Sequence, residues 1–165
     1  MTPNKEDYLK CIYEIGTDMQ KITNKEIAAR MQVSPPAVTE MIKRMKSENL
    51  ILKDKENGYL LTDIGLKLVS ELYRKHRLIE VFLVHHLDYT SDQIHEEAEV
   101  LEHTVSDLFV KRLDKLLGFP QTCPHGGTIP AEGELLVEIN NLPLAAVQEA
   151  GTYLLTRVHD SFELL

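Results

Sequence analysis

The chain has 165 residues, a length that allows one large domain or two small domains with separate cores. It contains only two cysteines, Cys11 and Cys123, which excludes a protein held together by a disulfide framework. It has no apolar run long enough to cross a bilayer and no secretion signal at its start, so we expect a cytoplasmic protein without a membrane partner.

The net charge of −8 hides an uneven distribution along the chain. Residues 1–75 contain 13 Lys and Arg against 11 Asp and Glu, a net charge of +2, whereas residues 76–165 contain 5 against 15, a net charge of −10. All seven histidines lie in the second part. The first part can therefore approach a polyanion such as DNA, and the second part can collect cations.

The first two helices are predicted from their starting residues and from apolar spacing. Residues 4–17 follow a helical repeat, and Asn4 is a suitable N-cap. Thr23 and Glu26 have the spacing of a capping box, which opens a second helix that continues to Met31.

A third helix and a hairpin complete a recognisable module. Ser34 followed by two prolines is a strong helix start, because the first turn does not need the N–H that proline lacks. Two short apolar runs, 50–52 and 59–61, flank a polar tip with the hairpin dipeptide Asn57-Gly58. This order predicts a winged helix-turn-helix, whose second paired helix enters the major groove of double-stranded DNA.

The module supplies two sets of candidate DNA contacts. The candidates near base edges are Ser34, Pro36, Ala37, Thr39 and Glu40. The candidates for the phosphate backbone are Asn24, Lys25, Lys43, Arg44, Lys53 and Lys55. Any single lysine here could equally be a solvated surface charge, so the combination is more specific than its members.

Two long helices are predicted next. Thr62-Asp63 caps a helix that reaches about Leu87, and Ser91 caps a second helix that ends near Gly118. The second half of the latter has more apolar residues than one helix partner needs. We therefore expect part of this surface to form the interface of a homodimer.

The strongest chemical signal is a set of acidic and imidazole side chains at helical spacing. Glu99, Glu102 and His103 lie three and four residues apart, and His76 lies four residues before Glu80, so each set shares a helix face. Two carboxylates and an imidazole aimed at one point repel unless a cation lies between them. Such oxygen-rich donors suit Mn²⁺ or Fe²⁺, although affinity order alone favours Zn²⁺.

The last part of the chain carries weaker signals. Cys123 and His125 lie on a loop rich in Pro and Gly and could reach one ion, but this spacing alone favours a structural role. A short helix is predicted over residues 142–151, and residues 153–160 have strand-like character. The sequence ends at Leu165 without the partner strands of a sheet, which suggests that it is cut short there.

These patterns together resemble the diphtheria-toxin-repressor family of metal-dependent transcriptional repressors, and within it the manganese-responsive streptococcal branch. The resemblance covers essentially the whole chain. The motifs that carry it are Gln32-Val33-Ser34-Pro35-Pro36, His76…Glu80 and Glu99…Glu102-His103. The resemblance implies a mainly α fold, with a winged helix-turn-helix at 1–71, a helical metal-binding and dimerisation domain at 72–140, and the start of a truncated SH3-like β domain at 141–165.

The resemblance also implies two ion sites per subunit, filled by Mn²⁺ and open to substitution by Zn²⁺, Cd²⁺ or Fe²⁺. The implied regulatory site consists of Asp7, His76, Glu99, Glu102 and His103. The implied second site consists of Glu80, Cys123, His125 and Asp160. Iron-responsive members have Met at the position of Asp7 and Cys at that of Glu99, and replacing sulfur with carboxylate oxygen favours Mn²⁺. His95 aligns with a ligand of those members, but we expect it to be solvated here.

The implied function is manganese-dependent repression of metal-uptake genes. The ion would tie Asp7 of the DNA-binding module to the helical domain, and so hold the two modules of the homodimer at the spacing of a palindromic operator. Without that resemblance, Asp7 is explained by the helix dipole.

Two other classes compete with this interpretation. A winged-helix regulator could bind an organic effector instead of an ion. A dimetal carboxylate enzyme is the second alternative, but no histidine here has Glu three residues before it, and the chain lacks common hydrolase and nucleotide-binding motifs. We therefore expect neither enzymatic activity nor an organic cofactor.

Overall fold

The computed structural model describes residues 4–18, 21–137 and 143–157 of a mainly helical chain, as predicted. In chain order the elements are α1 Lys5–Thr17, α2 Asn24–Met31, α3 Pro35–Ser47, β1 Ile51–Asp54, β2 Gly58–Leu61, α4 Asp63–Leu87, α5 Ser91–Leu101, α6 Asp107–Leu116 and a 3₁₀ helix, Leu144–Ala146. They form two compact units. One contains the described residues of 1–72 with 133–135, and the other contains those of 73–132 with 136–157.

The first three helices begin at the side-chain caps that the sequence predicts. Asn4, Thr23 and Ser34 each accept backbone N–H groups from the first turn of the helix that follows. Gln32 takes a left-handed conformation, with φ of 53°, and ends α2 two residues before the Ser34 cap. The α2 and α3 pair is therefore joined by a tight turn.

The hairpin β1–β2 is antiparallel and its tip is fixed by local contacts. Asp54 Oδ1 accepts the backbone N–H groups of Glu56 at 2.9 Å and Asn57 at 2.7 Å. Gly58 has φ of +85°, and a Cβ there would lie 1.9 Å from the carbonyl oxygen of Ile22. Only glycine fits this position. The winged helix-turn-helix prediction is confirmed.

One apolar core holds the first unit together. The side chains that carry it come from α1, α2 and α3 and are almost completely excluded from solvent. They are Leu9, Ile12, Ile15, Ile27, Val38 and Met45. Burying each such side chain contributes about 1.5–3 kcal/mol, which stabilises the packing of the three helices. The start of α3 is exposed.

The second unit packs the later part of α4 against α5 and α6. Its core includes Leu78, Leu83, Ile94 and Leu113. A mostly buried ion pair supports this packing on the polar side, with Arg74 Nη2 2.8 Å from Asp114 Oδ2. The loop residues Cys123 and Ile129 close the same core. The later half of α4 is therefore covered by apolar contacts.

The structure corrects the prediction of a single helix from Ser91 to about Gly118. α5 ends at Leu101, and α6 starts after Ser106, whose side chain accepts the N–H of Phe109 at 3.2 Å. The start of α5 also differs, because Thr90 is its N-cap. A serine cap satisfies free N–H groups, so it favours a new helix over continuation of the old one.

The end of the described chain contains less regular structure than predicted. The helix expected over 142–151 is only the 3₁₀ helix Leu144–Ala146, and Val147 after it is extended, with ψ of 117°. Residues 143–157 contain no strand. Asp160 lies outside the described residues. Among the helices described, none is both long and apolar enough for a membrane span.

Candidate metal centre

The middle of α4 presents two ionisable side chains to the interior of the second unit. His76 and Glu80 are one helical turn apart, and their side chains are 1% and 0% exposed. The apolar core around α4 places them on the buried side of the helix. A buried carboxylate is costly unless it is paired, so Glu80 requires partners.

Those partners form a continuous series of carboxylates and imidazoles. Glu80 Oε1 lies 3.2 Å from His76 Nε2 and 3.3 Å from His125 Nδ1. On the other side of the same ring, His76 Nδ1 lies 2.6 Å from Glu102 Oε2. Glu102 Oε1 is in turn 3.3 Å from His103 Nε2. His76 therefore stands between two buried carboxylates.

The electrostatics of this cluster keep Glu80 ionised. Burial alone would raise the pKa of Glu80, but the neighbouring imidazoles of His125 and His76 outweigh burial and hold the pKa well below its usual value. A neutral imidazole carries only one N–H, so His76 can donate to two ionised carboxylates, Glu80 and Glu102, only as the positively charged imidazolium. A metal cation at this place would neutralise the same two carboxylates.

Two groups of donors within this unit fit a divalent ion. One group is His76, Glu80 and His95, and the other is Glu80, Cys123 and His125. In each group the potential ligand atoms lie within 4.8 Å of one another. Donors that share one ion at bond lengths near 2.0–2.3 Å are at most about 4.6 Å apart, so a small adjustment of these side chains would let one ion contact all three. A cation would also neutralise the buried carboxylate of Glu80. These residues therefore fit the divalent metal ion that the sequence implies.

The structure brings several of the predicted ligands together and leaves Glu99 at the surface. His76 contacts Glu102, and both belong to the predicted regulatory site. Glu80 lies 3.3 Å from His125 and within 4.8 Å of Cys123, and all three belong to the predicted second site. Glu99 is 52% exposed and its Oε1 lies 3.4 Å from His95 Nε2.

Asp7 belongs to the first unit, where it completes a capping box. Asp7 Oδ2 accepts the backbone N–H of Asn4 at 2.6 Å. The carboxylate of Asp7 therefore caps the N-terminus of α1. A second role of Asp7 as a metal ligand stays a prediction.

The expectation that His95 is solvated is wrong. Its side chain is 29% exposed, and its ring packs edge to face against His76 with centroids 5.1 Å apart. His95 and Glu99 are four residues apart, like His76 and Glu80. This spacing was a signal in the sequence that His95 pairs with a carboxylate.

The predicted DNA contacts lie on the first unit, and nearly all are exposed. The exposed candidates are Lys25, Ser34, Pro36, Ala37, Thr39, Glu40, Lys43, Arg44, Lys53 and Lys55. Asn24 is half-buried and its Nδ2 donates to Thr39 Oγ1 at 3.0 Å. Arg44 also pairs with Glu48 at 3.1 Å. The first turns of α3 are thus free of covering structure within this unit.

An exposed apolar face lies on α6 in the second unit. Leu108 and Leu116 are each 63% exposed, and Phe109 is 44% exposed. Large apolar side chains grouped on one helix mark an interaction surface more often than isolated ones do.

Fold and site together define a two-unit protein in which a winged helix-turn-helix precedes a helical unit with a buried carboxylate and imidazole cluster. Two family models match it in the same order. Residues 1–59 match "Iron dependent repressor, N-terminal DNA binding domain", and residues 62–131 match "Iron dependent repressor, metal binding and dimerisation domain". The chain belongs to this family of iron-dependent repressors, which confirms the resemblance seen in the sequence.

Solved structures and curated relatives agree with this assignment. ScaR with bound Zn²⁺ is 72% identical with a TM-score of 0.90, covering 96% of this chain and 74% of its own. The manganese regulator SloR is 64% identical with a TM-score of 0.87, covering 98% and 75%. The iron-dependent repressor IdeR of Mycobacterium tuberculosis is 32% identical over 93% of this chain, which spans 65% of that relative's length.

Proposed function

We propose that the chain is a manganese-dependent transcriptional repressor that binds a palindromic DNA operator as a homodimer and represses metal-uptake genes. The observation that carries the proposal is the buried cluster of Glu80, His76 and Glu102 in the unit that matches a metal-binding and dimerisation model. A cluster that needs cationic charge at its centre gives the protein a means of responding to an ion.

Two ion sites account for the donors. The regulatory site consists of Asp7, His76, Glu99, Glu102 and His103. The second site consists of Glu80, Cys123, His125 and Asp160, and His95 joins the candidates beside Glu80. When bound, the ion supplies positive charge in place of protons, so its affinity rises with pH. The carboxylate majority favours Mn²⁺ over ions that select thiolate, and Zn²⁺, Cd²⁺ or Fe²⁺ could substitute.

Each unit has its own part in the proposed function, the first in operator binding and the second in dimerisation. We assign the DNA-binding domain to 1–71 and the metal-binding and dimerisation domain to 72–140, with the apolar face of α6 at the dimer interface. Two copies of α3 would then enter successive major grooves of a palindrome. DNA binding implies a cytoplasmic location, and nothing in the site calls for catalysis.

The ion controls DNA binding by linkage between the two units. We propose that Asp7 on α1 completes the regulatory site, so that the ion selects one arrangement of the modules. If the ion raises operator affinity by some factor, the operator raises ion affinity by the same factor. Coupling in such systems is typically about 1–3 kcal/mol, or roughly 5- to 150-fold in affinity.

Fluorescence anisotropy on a labelled duplex tests the proposal. The duplex is first selected from a random pool by the wild-type chain in Mn²⁺, and binding is then titrated with Mn²⁺ and with chelator. We expect chelation to weaken binding by a factor within the linkage range, and Glu102→Gln to abolish the Mn²⁺ effect.

Glu96→Gln is the matched control, because Glu96 is an exposed carboxylate on α5 and its substitution makes the same change in charge. It should respond to Mn²⁺ like the wild type. Equal operator affinity of the intact wild-type dimer with and without Mn²⁺ would contradict the proposal. Control by an organic effector instead would appear as binding that is insensitive to chelator.

A further inference from the structure

Arg77 is a buried guanidinium that the metal cluster does not use. It follows His76 on α4, and its side chain is 0% exposed, the largest of the fully buried side chains. A guanidinium has no lone pair to offer an ion, so Arg77 is not a ligand. A buried charge of this kind is retained only where specific partners hold it.

Two contacts of Arg77 are made with the loop after α6. Arg77 Nη1 donates to the carbonyl oxygen of Thr128 at 2.5 Å. The face of the guanidinium lies against Gly127, where an added Cβ would stand 2.8 Å from Arg77 Cζ. On α4 itself, Cζ is 4.7 Å from the centroid of the Tyr73 ring. Arg77 is thus held between its own helix and the loop.

This loop is a tight hairpin that carries two of the candidate ligands. Thr122 and Thr128 form an antiparallel bridge, and the N–H of Cys123 donates to the carbonyl of Gly127 at 2.9 Å. His125 stands inside this turn, with Nδ1 3.3 Å from Glu80 Oε1. A shift of the Gly127 and Thr128 backbone would therefore move Cys123 as well.

We infer that Arg77 is a positioning residue that holds the Cys123 and His125 hairpin against α4, where Glu80 meets it. Arg77 and Glu80 are three residues apart on one helix, so the guanidinium of Arg77 and the carboxylate of Glu80 face the same hairpin. This inference rests on the proposed second ion site and concerns the residue that keeps that site assembled.

Arginine suits this position and lysine does not. The planar guanidinium stacks on Tyr73, lies flat against Gly127 and still donates to Thr128. An ammonium is compact and has no flat face, so Arg77→Lys keeps the charge but loses the stacking. Gly127→Ala does the opposite, because it keeps Arg77 and pushes the hairpin away from it.

Co²⁺ is the probe for the test, because a bond between Co²⁺ and a cysteine thiolate gives a charge-transfer absorption band in the near ultraviolet. The band is titrated with Co²⁺ in the wild type, in Cys123→Ser, in Arg77→Lys, in Gly127→Ala and in the double variant. Arg112→Lys on the exposed side of α6 is the matched control. Far-ultraviolet circular dichroism checks that each variant is folded.

We expect the wild type and Arg112→Lys to show the band and Cys123→Ser to lack it. Arg77→Lys and Gly127→Ala should each weaken Co²⁺ binding at the thiolate site by roughly 10- to 100-fold. The double variant should be no weaker than the worse single variant, because both changes break the same contact. If Arg77→Lys does not fold, Gly127→Ala gives the same measurement with the guanidinium present.

Wild-type affinity and band intensity in folded Arg77→Lys or Gly127→Ala would overturn the inference while leaving the ion site standing. Absence of the band from the wild type would overturn the second ion site and this inference with it. Neither result depends on operator binding, so both are distinguishable from failure of the proposed repressor function.

Discussion

Thr39 shows how one hydrogen bond can decide what a recognition helix offers to DNA. Its hydroxyl accepts from Asn24 Nδ2 and donates to the carbonyl of Pro35, each at 3.0 Å. Because the only proton of this hydroxyl is used within the protein, the hydroxyl cannot donate to a base edge, and the apolar group that Thr39 offers there is its methyl. A thymine methyl is the matching partner in the major groove.

We therefore expect Thr39→Val to retain operator affinity and Thr39→Ser to lose it. The loss should be about 0.8 kcal/mol for one buried methyl group, or roughly fourfold. Anisotropy on the operator selected by the wild type provides the measurement. Replacing thymines by deoxyuridine one at a time should reproduce the Thr39→Ser loss at one position in each half-site. If Thr39→Val binds more weakly than Thr39→Ser, the hydroxyl contacts DNA and this prediction is wrong.

Cys11 illustrates the effect of burial on a single thiol. Burial, and to a lesser extent the neighbouring Glu14, raises the pKa of Cys11 to about 12. The reactive form of cysteine is the thiolate, so Cys11 stays inert in the folded protein near neutral pH. In a Cys123→Ser background, where Cys11 is the only thiol, we expect no reaction with a thiol reagent at pH 8 until urea unfolds the chain. Rapid labelling of the folded protein would show that α1 opens readily.

At the scale of single elements, local signals predicted the first half of the chain well. Ser34 before Pro35, and Thr62 before Asp63, are caps that act within one helical turn, so the residues alone reveal them. The break between α5 and α6 was missed because the apolar periodicity continues across it. Ser106 was the available signal in the sequence. An N-cap contributes only about 1 kcal/mol, which is a small preference for starting a new helix over continuing the old one.

The cap at Ser106 should determine the stability of variants at the start of α6. Ser106→Ala should lower the free energy of unfolding by about 1 kcal/mol, because the N–H of Phe109 loses its acceptor. Ser106→Asp keeps an acceptor and should remain close to the wild type. Urea unfolding followed by circular dichroism measures both. Equal destabilisation by Ala and Asp would mean that packing, not the cap, holds the start of α6.

The candidate site was harder to predict than the elements, because its parts come from distant segments. The pair His76 and Glu80 is visible as one helical turn, and its contact with Glu102 was expected. The position of His125 beside Glu80 depends on the hairpin and on Arg77. The contact of Glu80 with His125 and the contact of Arg77 with Thr128 both join residues that are far apart in the chain. No local pattern encodes such contacts.

For the whole molecule, the central question is why this chain would respond to manganese when its family is described by iron. Residues 1–75 carry a slight positive charge and residues 76–165 carry −10, so a cation favours the second part of the chain whatever its identity. Selectivity must therefore come from the type of ligand atom. Asp7 and Glu99 offer carboxylate oxygen at the two positions where the resemblance puts sulfur in iron-responsive members.

The double variant Asp7→Met with Glu99→Cys tests that argument in the complete dimer. Softer ligands should lower the Mn²⁺ response and raise the responses to Fe²⁺ and Zn²⁺, so that the order of effectiveness changes. Operator anisotropy titrated with each of the three ions under anaerobic conditions gives the order. Glu6→Met with Glu96→Cys is the matched control, because it makes comparable substitutions at neighbouring positions on α1 and α5. An unchanged order in the double variant would mean that ligand softness at these two positions does not set the choice of ion.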